Sequence, residues 1–482
     1  MSQIYYNYIG GYWVESDSGQ LYESINPANR DVLGQFQLSD ETDVEMAVNA
    51  ADKSFEDWAN TPAPKRGDVI FNLIQILQRN FDDLAQTIAK EVGKSYREAK
   101  GEVKKTIEAM KQFSGEATRI TGETGPSHLK GVTAYTVRDP LGVVGVIAPY
   151  NFPLGIGIWK IAPAIIAGNT VVFKPASNTS LISIKIMEMF EEAGVPSGVI
   201  NMVTGPGGLI GNAIGNHPRI KAVSFTGSTD VGLKLGRAVS ERGAKVQAEM
   251  GGKNPAIILE DADIDQAIED IVVSGFLDNG QRCTGTSRLI VPKSISRTVT
   301  DKLVNRAKKL VIGDGFKEGV DNGAIIDENQ MNRYLSYVDS AISEGAKLEF
   351  GGRRLTENGL DKGYFVEPTV LSQVTNDMKL SCDEIFAPVI GVIEVEDYKE
   401  ALKIANETEF GLSSTIYTND LHKAHHFIRN IKSGVTHVNM PSTHFENQFP
   451  FGGYKASSIG PREQGSTALE FWTQHKSVYI KP

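Results

Sequence analysis

Cys283 is one of two cysteines in 482 residues, and it stands in the stretch Asn279-Gly280-Gln281-Arg282-Cys283-Thr284. A thiol among glycine and polar neighbours can act as a nucleophile, and an adjacent arginine favours its thiolate. A lone cysteine is more often a small packing residue, so this reading depends on partners elsewhere in the chain. The other cysteine, Cys382, is followed by Asp383 and Glu384, which oppose thiolate formation. Cys283 is therefore the candidate nucleophile.

Several residues could serve it. Glu249 ends a strand-like run beside Met250 and paired glycines. Partial desolvation there would raise its pKa toward the general-base range; the plainer reading is a solvated surface carboxylate. Asn151 lies between two prolines in Pro149-Tyr150-Asn151-Phe152-Pro153, where its amide can donate to a developing oxyanion or simply form a turn. Lys174 ends an apolar strand and can meet ribose hydroxyls or a ribose phosphate, though a surface lysine is the usual case. Two glycine turns, Gly205-Pro206-Gly207-Gly208 and Phe225-Thr226-Gly227-Ser228, each follow a strand and precede a helix pattern. Backbone N–H groups at such helix starts can face a pyrophosphate. Neither is a G-x-G-x-x-G, but two such turns in one sheet favour a nucleotide over plain turns. His422, His425 and His426 fall on a predicted surface helix, and no Cys/His spacing indicates a metal site.

The elements that must position these residues follow from periodicity. Residues 5–25 read as short strands and turns, and Ser39 as the N-cap of a helix carrying Val44, Ala47, Val48, Ala51 and Phe55. Amphipathic helices are predicted over 66–92 and 95–120, and Thr133–Arg138 alternates like a strand. From Val143 the pattern becomes strand, turn, helix, repeated, with strands at Val143–Ile147, Val171–Phe173, Val199–Val203, Ala222–Phe225 and Lys245–Ala248. It restarts with strands at 255–259 and 288–291 separated by a helix over 262–277. Such alternation implies parallel sheets covered by helices, with ligands at the strands' carboxyl ends.

Composition narrows the classes. A chain this long exceeds one core. The net charge of −10 with no long basic run argues against nucleic acid. Two distant cysteines make no disulfide framework and fit a reducing cytoplasm. Residues 141–173 carry Lys160 as their sole charge, but Pro149, Pro153 and Pro163 interrupt them, so buried strands around a buried helix are expected rather than a membrane span.

The ordered set Pro149–Pro153, Phe173-Lys-Pro-Ala176, Phe225-Thr-Gly-Ser228, Glu249-Met-Gly-Gly-Lys-Asn-Pro255, Gly280-Gln-Arg-Cys283, Glu384-Ile-Phe386 and Pro450-Phe-Gly-Gly453 resembles the aldehyde dehydrogenase superfamily. The resemblance implies an α/β fold with two Rossmann-like parallel-sheet domains and a small β oligomerisation arm. The implied divisions are 1–123 with 140–253 for the dinucleotide, 254–445 for catalysis, and 124–139 with 463–482 for the arm, assembled as a homodimer or homotetramer. It implies that Cys283 forms a thiohemiacetal and then a thioester, that Asn151 and the Cys283 N–H hold the oxyanion, and that Glu249 activates the hydrolytic water. Glu384 would bind the nicotinamide ribose, Phe386 would pack near the ring, and Lys174 would bind the adenosine ribose, with Gly207, Gly227 and Ser228 at the phosphates. Ser177 stands where strictly NAD-dependent members often carry Glu, so NADP is the expected cofactor, with NAD also accepted. Trp159-Lys-Ile-Ala-Pro163, Gln281–Arg288 and Gly460–Gly465 resemble the branch that oxidises 2-oxoglutarate semialdehyde (2,5-dioxopentanoate). Such a substrate calls for a cation in the pocket. Succinate semialdehyde, aromatic aldehydes, a CoA-acylating dehydrogenase and a non-catalytic binding protein are the alternatives.

Overall fold

The structure, a computed structural model, describes residues 2–482. Two parallel sheets dominate it. In the first, Lys245–Glu249, Ile220–Thr226, Val143–Ile147, Thr170–Lys174 and Ile200–Met202 lie side by side in that order, all parallel. The chain thus starts at a central strand, moves outward one way and then the other, and leaves a crevice where the direction reverses. Asn7–Ile9 and Tyr12–Val14 close one edge antiparallel, and Ser458–Ile459 closes the other.

The apolar block becomes the centre of this sheet. Val143–Ile147 and Thr170–Lys174 are buried throughout, as strands covered on both faces must be. Val144, Val146, Val171 and Phe173 pack on one face, with helices Ala63–Arg79, Tyr96–Glu116 and Pro153–Ile166. Val143, Ile147 and Val172 pack on the other, with helices Glu41–Asn60 and Gly207–Asn216. Among the described residues no helix is long and apolar enough to cross a membrane.

The second sheet runs Lys347–Phe350, Thr369–Ser372, Val389–Val395, Thr286–Pro292, Asn254–Ile258, Ser413–Tyr417 and Val435–Val438, parallel except for the first strand. A separate three-stranded sheet joins Thr473–Ile480 and Thr124–Gly125 to Thr133–Pro140. Between these, Ala468, Leu469, Phe471 and Trp472 pack into the core beneath the first sheet, so of 463–482 only the last residues enter the three-stranded sheet.

Two local expectations need correction. Asp40, not Ser39, caps the first helix: its carboxylate accepts from Thr42 N at 2.8 Å, while Asp43 accepts from Asp40 N at 3.0 Å. Ser39 is buried and its hydroxyl accepts from Asn7 Nδ2 at 2.8 Å, a tertiary bond that local pattern cannot show. The expected helix over 66–92 is two, Ala63–Arg79 and Phe81–Val92, separated at Asn80.

Asn169 ties the sheets together. Its Oδ1 accepts from Leu141 N at 2.7 Å and Gly142 N at 3.1 Å, and its Nδ2 donates to Trp472 O at 2.8 Å and Ala164 O at 3.1 Å. It is fully buried, so Asn169→Ala orphans backbone groups that water cannot reach. Each such group costs about 1–3 kcal/mol, and Asn169→Ala is expected to lower the first thermal unfolding transition by several degrees, read by differential scanning calorimetry. An unchanged transition would show that these bonds are replaceable.

Candidate active site

Cys283 follows an unusual turn. After helix Ile264–Gly275 comes the short turn Leu277–Gly280, in which Asp278, Asn279 and Gly280 take left-handed φ of 52°, 55° and 63°. A Cβ at residue 280 would run into the backbone of Ala387 and Pro388, so glycine is required there. Side chains fix the rest of the turn. Asn279 Nδ2 donates to Ala324 O at 3.0 Å, Gln281 Oε1 accepts from Ile326 N at 3.1 Å, and Asn254 Nδ2 donates to Cys283 O at 2.8 Å.

The thiol lies where two cavities meet. One, of about 340 Å³, is lined by Glu249, Trp159, Phe445, Phe451, Lys105 and Glu463. The other, of about 540 Å³, runs past Asn151, Lys174, Ser177, Gly207, Glu384 and Phe386. Cys283, Thr226, Met250 and Ile156 belong to both. The structure thus gathers every residue that the sequence singles out for chemistry or cofactor binding around these two spaces, except Cys382. That cysteine is exposed, with Sγ 3.5 Å from Asn376 O.

Burial, and then the carboxylates of Glu384 and Glu249, push the Cys283 thiol up to about 12. The attraction of the neighbouring Arg282 does not offset these effects. Its guanidinium pairs with Asp278, Nε donating to Oδ2 at 2.5 Å, and its charge is neutralised there.

Glu249 is buried, with 3% of its surface exposed, which overturns the surface-carboxylate reading. Oε2 accepts from Ser458 Oγ at 2.5 Å, and Oε1 has no partner. Burial, reinforced by Glu463, raises its pKa well above the ordinary range. Glu463 in turn pairs with Lys160 and accepts from Trp159 Nε1 at 3.0 Å. Ser458 and Glu463 are the functional neighbours that sequence reasoning missed; the one available signal was Lys160, the single charge of an apolar block.

Asn151 is buried, and its Nδ2 donates to Gln281 O at 2.9 Å. One amide hydrogen is thereby used and one is left. The Cys283 N–H has no backbone partner. Asn151 and Cys283 line the same cavity, each with an N–H free to donate, which is what an oxyanion site requires.

The second cavity fits a dinucleotide on its own features. Lys174 Nζ is buried with only Pro175 O as acceptor, at 2.6 Å, and burial lowers its pKa to about 8. An ammonium so placed lacks an anion. Gly207 opens helix Gly207–Asn216, and a Cβ there would meet open space. Gly227 is sterically forced: a Cβ would sit 2.5 Å from the Phe225 ring. Ser228 precedes helix Thr229–Glu241 without capping it, leaving its first N–H groups unclaimed by that side chain. Ser177 Oγ donates to Gly205 O at 2.7 Å and joins the two loops. Glu384 accepts from Gly252 N at 3.1 Å and is raised to about 7 by burial. Phe386 meets Tyr150 edge-on at 5.9 Å. Among the described residues, no group of three or more His, Cys, Asp or Glu could hold a metal ion.

Comparison with known proteins gives three findings. The model of the "Aldehyde dehydrogenase family" matches residues 13–478. An "Alpha-ketoglutaric semialdehyde dehydrogenase" of Bacillus subtilis is 44% identical over 99% of this chain and 98% of its own length, and a "2,5-dioxopentanoate dehydrogenase" of Saccharolobus solfataricus is 40% identical over 97% of each. A solved betaine aldehyde dehydrogenase of Staphylococcus aureus, in complex with NAD+, superposes with a TM-score of 0.96 at 33% identity, over 99% of this chain and 95% of that one.

The environment of Glu249 yields a pH prediction. The Ser458 hydroxyl donates to its carboxylate and favours the charged form. Ser458→Ala should therefore raise the Glu249 pKa further and move the acid limb of the rate profile to higher pH. Glu463→Gln removes a like charge and should move that limb to lower pH. Shifts in the same direction for both variants would mean that the limb reports another group.

Proposed function

The chain belongs to the aldehyde dehydrogenase family, and from that premise we propose that it oxidises a carboxylate-bearing semialdehyde, such as 2-oxoglutarate semialdehyde, to the acid. The supporting observation is the position of Cys283 at the junction of two cavities, with Glu249 in one and Asn151 in the other. The relatives named for that semialdehyde support the substrate class.

The residues divide the work as follows. Cys283 Sγ adds to the aldehyde carbon and its proton leaves to an acceptor in the cavity. The second hydrogen of the Asn151 amide and the Cys283 N–H receive the oxyanion of the thiohemiacetal. Lys174, Ser177, Gly207, Gly227, Ser228, Glu384 and Phe386 hold a nicotinamide dinucleotide, which supplies the hydride acceptor. The oxidised acyl group stays on Cys283 as a thioester. Glu249 takes a proton from water, which hydrolyses the thioester and frees the thiol.

NADP is the proposed cofactor, with NAD also accepted. No carboxylate stands at position 177 to repel a 2′-phosphate, and Lys174 offers an otherwise uncompensated charge. Assembly as a homodimer or homotetramer through the arm, in the cytoplasm, completes the reading. The free cysteines fit that compartment, and the edge strand Thr473–Ile480 exposes Tyr479 and Ile480.

The test is reduced-cofactor absorbance with a panel of aldehydes. Cys283→Ala should abolish turnover, and Cys382→Ala should keep it; full activity in both would overturn the mechanism. Glu249→Gln should retain a burst of reduced cofactor while steady turnover slows by about 10²–10⁴-fold, the usual share of a general base. A lost burst would move Glu249 to the acylation step.

The cofactor reading carries its own pH dependence. Lys174 is charged below about 8 and neutral above it. The ratio of kcat/KM for NADP over NAD should therefore fall as pH rises through that value. Ser177→Glu should depress NADP use at least tenfold, about 1.4 kcal/mol, while sparing NAD. A wild-type enzyme that already uses NADP tenfold less well than NAD contradicts the proposal.

A further inference from the structure

A carboxylated aldehyde needs a cation in its cavity, and the arginines of the three branch-like motifs do not supply one: Arg462 lies over the Tyr454 ring, 5.7 Å from its centroid, and lines neither cavity. Arg288 is buried elsewhere, donating to Lys253 O and Ala405 O at 3.0 Å each. Arg282 reaches the cavity but is paired with Asp278. Of the lysines behind the wall, Lys94 lies 3.2 Å from Glu102, and Lys160 pairs with Glu463. Lys105 differs from all of these. It rides on helix Tyr96–Glu116 one turn beyond Gly101, and both line the aldehyde cavity and not the cofactor groove. Its Nζ donates to Phe445 O at 2.8 Å and lies 4.7 Å from the centroid of the Phe445 ring. Among the described residues no carboxylate forms an ion pair with it.

We infer that Lys105 is the specificity residue that receives the distal carboxylate of the semialdehyde. An ammonium has three donors, and one carbonyl occupies only one of them. Lys105 is half-buried, and Trp159, Phe445 and Phe451 line the same cavity with apolar surface, which lowers the local dielectric and strengthens the attraction between ammonium and carboxylate. The same aromatic walls leave an uncharged aldehyde free to bind without touching the ammonium. Lys105 thus acts by discriminating between substrates and takes no part in the bond-making steps. The inference rests on the semialdehyde reading above and supplies the residue that reading lacks.

The experiment compares kcat/KM for 2-oxoglutarate semialdehyde, succinate semialdehyde and butanal in wild type, Lys105→Met, Lys105→Arg and Lys104→Met. Lys104 is exposed and serves as the control for charge alone. Lys105→Met should lose at least roughly tenfold for both semialdehydes, the scale of a charge-assisted pair, and keep its butanal activity. Lys105→Arg should recover most of the preference, and Lys104→Met should behave as wild type. Competitive inhibition by glutarate should weaken in parallel with Lys105→Met. Equal losses for butanal and the semialdehydes, or unchanged semialdehyde activity and glutarate inhibition in Lys105→Met, would overturn the assignment of Lys105. A wild-type enzyme that prefers butanal to both semialdehydes would overturn the semialdehyde reading itself, and the two failures are thereby told apart.

Discussion

A charge taken into a protein interior must be met by acceptors there, or its desolvation outweighs what it contributes. Lys94 is such a charge, 2% exposed, and the pieces of the active site are arranged around it. Its Nζ donates to Asn151 O at 2.8 Å, stands 3.2 Å from Glu102 and 3.6 Å from Asp278, and lies over the Phe152 ring at 4.0 Å. Each partner belongs to a different functional element. Asn151 is in the loop after the central strand. Glu102 accepts with its other oxygen from Leu154 N and Gly155 N, and so holds the start of the helix that follows that loop. Asp278 is in the turn that leads to Cys283. Asp278 N in turn donates to Glu98 Oε1 at 2.5 Å. One ammonium thereby fixes the amide donor, the helix behind it and the nucleophile loop relative to one another.

The turn before Cys283 needs that support. Non-glycine residues with left-handed φ persist only where surrounding structure over-determines them. Asp278 is held by Lys94 and Arg282, and Asn279 by the carbonyls of residues 323 and 324. Arg282 therefore has a structural task, and its attraction for the neighbouring thiolate is too small to offset burial. The same geometry carries the Cys283 carbonyl to Asn254 at the start of the second sheet, so the nucleophile is fastened to one sheet while Glu249 and Asn151 come from the other.

Much of this was legible in the sequence. The alternation of strand and helix from Val143 onward gives the five parallel strands of the first sheet and two of the seven in the second, because fully buried parallel strands need unbroken apolar runs, and the glycine turns mark two carboxyl ends in the first sheet. What escaped depended on distant partners. Ser39 looks like a cap and Asp40 is one, because Asn7 engages Ser39. The break at Asn80 leaves the helical period on either side intact, so periodicity alone merges two helices. Glu249 reads as a surface carboxylate from its neighbours, since Ser458 and Glu463 lie some two hundred residues away. Lys105 is one of many lysines on an amphipathic helix, and only the arrival of Phe445 beside it gives it a cavity to face.

Burial also links the thiol and the carboxylates that face it. Glu384 and Glu249 both act on the thiol of Cys283, and desolvation raises all three groups. A protonated thiol is a poor nucleophile and is slow to oxidise, so the apolar walls that shape the site also favour the less reactive form of Cys283. Those walls also make Glu249 a stronger base than a carboxylate in water. A surface carboxylate beside a buried thiol would be badly mismatched as an acceptor, whereas raising both narrows the gap between them. One environment thus imposes a preference for the neutral state on thiol and carboxylate alike, which keeps strong charge out of the low dielectric.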